Sequence, residues 1–390
     1  MSSRLIVNSI RHTGASGDAV TLANDGTCTA NITNKSNRNL MINGAMQVAQ
    51  RGTDATGVAA NTYATVDRFK ASQTGTDEYI EQHHVDVASG TTPYTLGFRK
   101  AFQIKNGNQT SGAGAGDYVY FRTELEAQDI ANSGWNYISA SNYITLQFWI
   151  KSSVAQNFYG YVRTIDGTAY HYPFETGSLS ADTWTKVTKT IPGNSNLQFD
   201  NNTGRGFQFT LLGLMGTNFT SSSATLNTWH ATGGGDAYSP DNTTTWYTTN
   251  DSTLEITGVQ LEVGSVATDF EHRSYAQELA LCRRYYYRHA EGSGTAITEN
   301  GTQYNSGYAY FSVPLPVEMR STPSLEVANS SGYYIKYAAD GGSTFSTIGL
   351  DGITTSRLLA LNANISGTGG HACMIRCSAS GAFVAASAEL

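Results

Sequence analysis

Glu124 and Glu126 lie at i and i+2 at the end of the run Tyr118-Val119-Tyr120-Phe121-Arg122-Thr123-Glu124-Leu125-Glu126. On a strand this spacing puts both carboxylates on one face, about 6.5 Å apart. Glycoside hydrolysis by paired carboxylates works at such a separation. The plainer reading is an exposed acidic pair on a sheet face, or Glu124 paired with Arg122. It is preferred, because an admissible spacing is not a site. His83, His84 and Asp86 form a metal-like cluster on paper. Adjacent strand residues point to opposite faces, so one ion cannot easily use both rings, and no metal site is expected. The sequence contains no G-x-S-x-G, no P-loop and no H-E-x-x-H.

The other chemistry within reach is sugar recognition. Sugar C–H faces stack on aromatic rings, and short polar side chains bond the hydroxyls. Residues 224–251 are rich in Gly, Asn and Thr, lack a strand period, and carry Trp229, His230, Tyr238, Trp246 and Tyr247. Loops of this length usually serve a function or are disordered. The alternative is that these rings pack the loop onto its own domain or onto an adjacent subunit. Tyr333, Tyr334 and Tyr337 are candidates of the same kind, although alternation buries one face of any strand.

Composition bounds the elements that must hold these residues. The chain has 390 residues, of which 39 % are hydrophobic and only 14 % charged. Its 40 glycines and 23 tyrosines, with abundant Ser, Thr and Asn, favour pleated surfaces joined by tight turns. The net charge of −7 argues against a binder that neutralises nucleic-acid phosphates. Leu5-Ile6-Val7 is too short for a secretory h-region, and no stretch approaches a membrane span, so synthesis in a cytoplasm is expected. Cys28, Cys282, Cys373 and Cys377 are scattered. Cys373 and Cys377 would lie about 13 Å apart on a strand, too far for a disulfide, so small core roles are expected.

Four parts are expected. Residues 1–36 read as a hairpin, with alternation at 18–23 and 28–32 around the Asn24-Asp25-Gly26 turn. Residues 37–272 hold strand signals at 118–125, 143–151, 158–163, 183–191, 207–212 and 254–263, which suggest a jelly-roll sandwich. Residues 273–290 read as a helix opened by a Ser274/Gln277 capping box, with Tyr275, Leu279, Cys282 and Tyr286 as its apolar stripe. That stripe needs a partner, either its own sandwich or two symmetry mates, and the symmetry axis is favoured. Residues 291–390 return to β, at 308–316, 324–328, 333–337, 358–363 and 382–390, as a smaller C-terminal β-sandwich tip. The fold class is thus all-β: a jelly roll, a short helix and a tip.

The segment from Gly258-Val259-Gln260-Leu261-Glu262-Val263 through Asp269-Phe270-Glu271-His272-Arg273-Ser274-Tyr275 to Cys282-Arg283-Arg284-Tyr285-Tyr286 resembles one common in tail-fibre-like proteins of marine and cyanobacterial phages. So do Asn39–Gly52 with Asp67-Arg68-Phe69, and Glu124–Ile130 leading to Leu146–Ser153; the closing Ala388-Glu389-Leu390 is similar more weakly. The resemblance implies a jelly roll similar to carbohydrate-binding modules, a short helix and a variable tip, in a virion appendage that touches the host surface. Such modules often hold calcium by a Glu after the Asn-Gly turn. Here that stretch reads Ala45-Met46-Gln47-Val48, without a carboxylate, so no cofactor is expected.

The expected protein is a non-enzymatic tail-fibre subunit of a phage virion, a homotrimer that binds a host glycan or protein receptor. Alternatives are a glycan-cleaving tailspike and a capsid or head-fibre decoration protein. Arg4, Leu5, Ile6, Val7 and Ile10 would attach it to another virion protein. Deleting residues 1–36 is expected to leave a folded oligomer that no longer joins the virion, as scored by light scattering and virion incorporation. Aggregation of the truncated chain would show that the hairpin belongs to a core.

Overall fold

The computed structural model describes residues 7–14, 16–22, 24, 28–30, 36–58, 61–233 and 237–390. The larger unit is a sandwich of two six-stranded antiparallel sheets with a jelly-roll layout. One sheet runs, in spatial order, His230–Ala231, Tyr170–Ser178, Asn157–Thr164, Arg205–Met215, Tyr118–Glu126 and Phe69–Thr74. The other runs Thr185–Pro192, Tyr143–Ser152, Thr253–Val263, Lys100–Lys105, Glu81–Asp86 and Asp54–Ala55. Alternation along Tyr143–Ser152 turns Ile144, Leu146, Phe148 and Ile150 inward, where all four are fully buried. Across the core, Phe148 meets Phe209 with ring centroids 5.3 Å apart.

A second, smaller sandwich follows. Its three-stranded sheet is ordered Tyr286–Glu291, Phe383–Ser387, Ser324–Val327. Its seven-stranded sheet is ordered Gly341–Phe345, Tyr334–Ala338, Ala372–Cys377, Ala296–Gln303, Tyr308–Pro314, Leu358–Asn364, Gly349–Leu350. Cys373 and Cys377 are buried on one face of their strand and Cys282 is buried beside the larger sandwich, but Cys28 is exposed rather than in a core. The final strand stops at Ser387, so the last residues do not extend a sheet.

The helix is shorter than its sequence pattern indicates. It spans Tyr275–Arg283 and opens with the expected reciprocal Ser274/Gln277 capping box. Tyr286 does not lie on it; this residue begins a strand and pairs with Ser387. Only part of the apolar stripe is buried. Tyr275 is exposed and Leu279 half-buried, whereas Glu278 and Cys282 turn inward. Glu278 Oε2 accepts from the backbone N–H of Asn43 at 2.8 Å, which seats the helix on its own sandwich. Near the N-terminus three short strands, Ser9–Ile10, Val20–Leu22 and Cys28–Ala30, make a small antiparallel sheet. Arg4, Leu5 and Ile6 lie outside the described residues; Val7 is half-buried and Ile10 exposed.

The two sandwiches meet around the C-terminus. Arg51 and Arg68 extend from the larger unit and stack on Tyr286 and Tyr285, at 3.4 and 3.5 Å from the ring centroids. Both guanidiniums pair with Glu389, Arg51 at 3.2 Å. Arg320 of the tip donates to Ala388 O and Glu389 O and to Thr203 O of the larger sandwich, at 2.8, 3.0 and 2.9 Å. Arg68 is held at a φ of +69°, a region that long side chains seldom occupy. Such a conformation persists only where its surroundings over-determine it. Glu389→Ala would leave two enclosed guanidiniums without their carboxylate, and an uncompensated buried charge costs about 3–5 kcal/mol. The variant is expected to unfold at clearly lower denaturant and to be cleaved between the sandwiches; an unchanged midpoint would rule out this lock.

Candidate functional site

The strand Tyr118–Glu126 sends Val119, Phe121 and Leu125 into the core. Tyr118, Tyr120, Arg122, Glu124 and Glu126 therefore project from the opposite face of its sheet. The register builds rows across that face. One holds Lys70, Arg122, Thr210, Tyr161 and Pro173; the next holds Glu124, Gln208, Arg163, His171 and His230.

The end nearest the junction is ionic. Glu124 Oε2 accepts from Lys70 Nζ at 2.7 Å and also contacts Gln208, with Arg205 3.5 Å away. Glu126 takes Arg284 through both oxygens, at 2.7 and 2.8 Å, and the Tyr285 hydroxyl at 2.7 Å. Burial opposes ionisation of both carboxyls. Lys70 at Glu124, and Arg284 with Tyr285 at Glu126, outweigh it and hold both below the usual carboxylate range. The pair is thus neither solvent-exposed nor held by Arg122, as the spacing had suggested, but buried and occupied by cations. Neither carboxyl is free to donate a proton or attack a sugar.

The other end of the face is aromatic. Tyr118 and Tyr120 stack at 5.3 Å, and Arg122 lies 4.4 Å from the Tyr120 ring centroid while donating to the Tyr161 hydroxyl at 3.0 Å. Tyr238 meets Tyr161 and His171, both at 5.0 Å, and His171 stacks with His230 at 5.5 Å. Tyr118, Tyr159, Arg163, His230 and Tyr238 remain half-buried. Arg163 Nε is buried without a hydrogen-bond partner among the described residues, an orphaned donor of the kind a ligand or water satisfies. Below this patch, a cleft of about 220 Å³ opens between Tyr238 and the Asn218–Ser221 turn.

Of the rings singled out in the sequence, His230 and Tyr238 reach this face and the others from the same loop do not. Trp246 and Tyr247, on the short helix Thr245–Thr248, are fully buried in the main core. Trp246 Nε1 donates to Thr253 O at 3.0 Å, and Tyr247 bonds Asp117. Trp229 is also enclosed, donating to Pro192 O at 2.7 Å and packing on Tyr172. All three are enclosed, Trp229 at the Pro192 end of the sandwich and Trp246 and Tyr247 at the Thr253 end, since burying large rings outweighs leaving them in a polar loop. Sequence reasoning missed Tyr118, Tyr120, Tyr159 and Tyr161. Their signal was two Tyr-x-Tyr repeats on strands whose alternate residues already fill the core. In the tip, Tyr334 is fully buried, its hydroxyl donating to Ala328 O and Phe383 O, and Tyr333 is half-buried. Tyr337 is 40 % exposed on the outer face of the seven-stranded sheet, where Tyr308 and Tyr310 also project, at 43 and 40 %.

His83 bonds Asp54 and Glu81, and His84 turns away to Met46 O. Among the described residues no group of three or more His, Cys, Asp or Glu side chains is placed to hold a metal ion. Among them, too, no helix is long and apolar enough to cross a membrane.

No protein-family profile and no curated protein sequence matches the chain. Solved structures are similar to it at low identity. The enzymatically active domain of tailspike protein 4 from bacteriophage CBA120 is 12 % identical with a TM-score of 0.31, over 58 % of this chain and 22 % of that one. The match therefore spans a little over a fifth of that tailspike domain. A family 4 carbohydrate-binding module is 12 % identical with a TM-score of 0.29, over 57 % of this chain and 98 % of the module. A tandem pair of family 22 carbohydrate-binding modules from Paenibacillus barcinonensis is 7 % identical with a TM-score of 0.26, over 86 % of this chain and 98 % of the pair.

A groove of about 790 Å³ runs between the Tyr275–Arg283 helix and the helix Ala127–Ala131, and Asp129 lines it. Burial, with the nearby charge of Glu126, pushes the Asp129 carboxyl up to about 6. An unfolded Asp titrates near 3.9. The folded state thus favours the protonated form, a contribution complete below about pH 4 and lost as pH rises through about 6. Asp129→Asn is expected to match the parent near pH 4 and exceed it at pH 8. The gain should be on the order of 1 kcal/mol, below the full shift because the carboxyl borders the open groove. Denaturant midpoints at the two pH values decide this, and a parallel pH dependence would refute it.

Proposed function

We propose that this chain is a non-enzymatic tail-fibre subunit of a phage virion that binds a host surface glycan and acts as a homotrimer. The observation that carries the glycan reading is the outward sheet face where Tyr118, Tyr120, Tyr159, Tyr161 and Tyr238 gather around Arg122 and Arg163. Tyr120 and Tyr161 are buried beneath this patch, and the half-buried Tyr118, Tyr159 and Tyr238 offer rings to sugar C–H faces, with guanidiniums beside them for hydroxyls or acidic groups. The exposed tyrosines of the tip add a second aromatic surface of the same chemistry. The virion assignment rests on the sequence resemblance of residues 258–286 to tail-fibre-like proteins, and the trimer on the symmetry a fibre needs. A binding role in place of hydrolysis is supported by Glu124 and Glu126, both buried and both occupied by cations.

The test is an array of purified bacterial surface polysaccharides probed with the full chain. Binding to a subset is expected, with Tyr159→Ala and Tyr238→Ala each weakening it at least about tenfold, roughly one ring stack. Trp246→Ala should instead cost about 3–5 kcal/mol of stability through a core cavity. A silent array, or binding that ignores both tyrosines, would overturn the site. Release of reducing ends from a bound polysaccharide would overturn the non-enzymatic role.

A further inference from the structure

We infer that the opposite sheet of the larger sandwich carries a separate pocket that takes a single pyranose residue. The choice of a sugar rests on the glycan reading above; the pocket does not. Along Tyr143–Ser152 the residues that alternate with the core set are Thr145, Gln147, Trp149 and Lys151, and these face outward. Lys186 lies directly opposite Trp149 on the neighbouring strand. On Trp149's other side, the Thr253–Val263 strand carries a bulge between Thr257 and Gln260. Bulges of this kind re-aim a strand beside a site.

Gly258, in that bulge, has a φ of +63°. A Cβ there would stand 2.8 Å from Phe98 Cζ and 3.1 Å from Trp149 Cδ1, so the glycine is what lets both rings close over the backbone. Phe270 packs edge-on against Phe98 at 4.8 Å, and His272 lies 5.1 Å from Phe98, fixed by a 2.8 Å bond to Leu96 O. These walls enclose about 250 Å³, room for one sugar ring and not for a chain. The polar lining suits hydroxyls. Gln147 Nε2 is committed to Thr268 O at 2.6 Å, which leaves its Oε1 as an acceptor. Asp269 and Lys186 also line the pocket, and neither has an ion-pair partner among the described residues. A half-buried indole beside one acceptor amide, one carboxylate and one ammonium matches a ring with an apolar face and a polar rim. The pocket lies across the sandwich core from Tyr159 and Tyr161, so the two sites are independent surfaces.

Saturation-transfer NMR on the full chain tests this, with methyl glycosides of hexoses, N-acetylhexosamines and hexuronic acids as probes. At least one glycoside is expected to saturate in the millimolar range, the affinity one sugar ring can supply. Trp149→Ala and the exposed Lys186→Ala should each weaken it at least fivefold, and Tyr159→Ala should not; thermal melts confirm that each variant folds. No saturable glycoside, or a signal that survives Trp149→Ala, overturns the pocket. Preferential binding of tetramethylammonium, which an aromatic cage beside Asp269 would take, also overturns it. Array binding lost in Tyr159→Ala without any glycoside signal refutes this pocket alone. A glycoside signal that needs Trp149, with a silent array, refutes the first face alone.

Discussion

Glu389 lies between the guanidiniums of Arg51 and Arg68, and each guanidinium is backed by a tyrosine ring from the two residues that follow the helix. The contact is enclosed, so its members cannot exchange one another for water. Each buried charge there requires the others, and loss of one leaves the rest uncompensated. From it the constraint spreads in both directions. Arg68 Nη2 also donates to Glu124 O at 2.6 Å, and Lys70, two residues on, pairs with the Glu124 side chain. Gln50 links Asp67 to Tyr286 O. The angle between sandwich and tip is therefore set by a charge network rather than by a flexible linker.

This network explains why one sheet face has two characters. Where the tip and helix cover it, the outward residues are Lys70, Glu124 and Glu126, charges that a solvent-facing sheet can carry and that burial then obliges to pair. Where nothing folds back over it except the 216–244 loop, the outward residues are rings. Strand register alone places both sets along the same rows: Lys70 shares one with Tyr161, and Glu124 shares the next with His171. Four of the segments that resemble tail-fibre-like proteins, around Asn39–Gly52, Asp67–Phe69, Glu124–Ile130 and Gly258–Tyr286, reach the junction, whereas Leu146–Ser153 lies in the opposite sheet. In the proposed fibre subunit one end of the sheet would transmit load between domains, and the other would be free to vary with its ligand.

Single-ring contacts with sugars are weak, and a fibre gains affinity by presenting several at once. On the proposed reading, a sandwich with rings on two opposite faces, joined to a tip with exposed tyrosines, would multiply such contacts within one chain. Trimer assembly would multiply them again. Rigid placement matters here, because linked sites add to affinity only when they can be engaged together.

Much of this protein was determined locally. Period-two alternation at 143–151 and 254–263 placed those strands within a residue or two, because a half-buried strand must alternate whatever it packs against. The Ser274/Gln277 cap marked the helix start for the same reason: both partners sit within one turn. What lies opposite a side chain is another matter. Glu124 and Glu126 read as a plausible acid pair until Lys70 and Arg284 arrive from 54 and 158 residues away. Trp246 and Tyr247 read as loop rings until the loop folds into the core, and Tyr286 as a helix residue until Ser387, a distant strand partner, draws it into a sheet. A sequence window records what a residue prefers. Only the folded chain supplies the long-range neighbour whose burial, charge or backbone hydrogen bond overrides that preference.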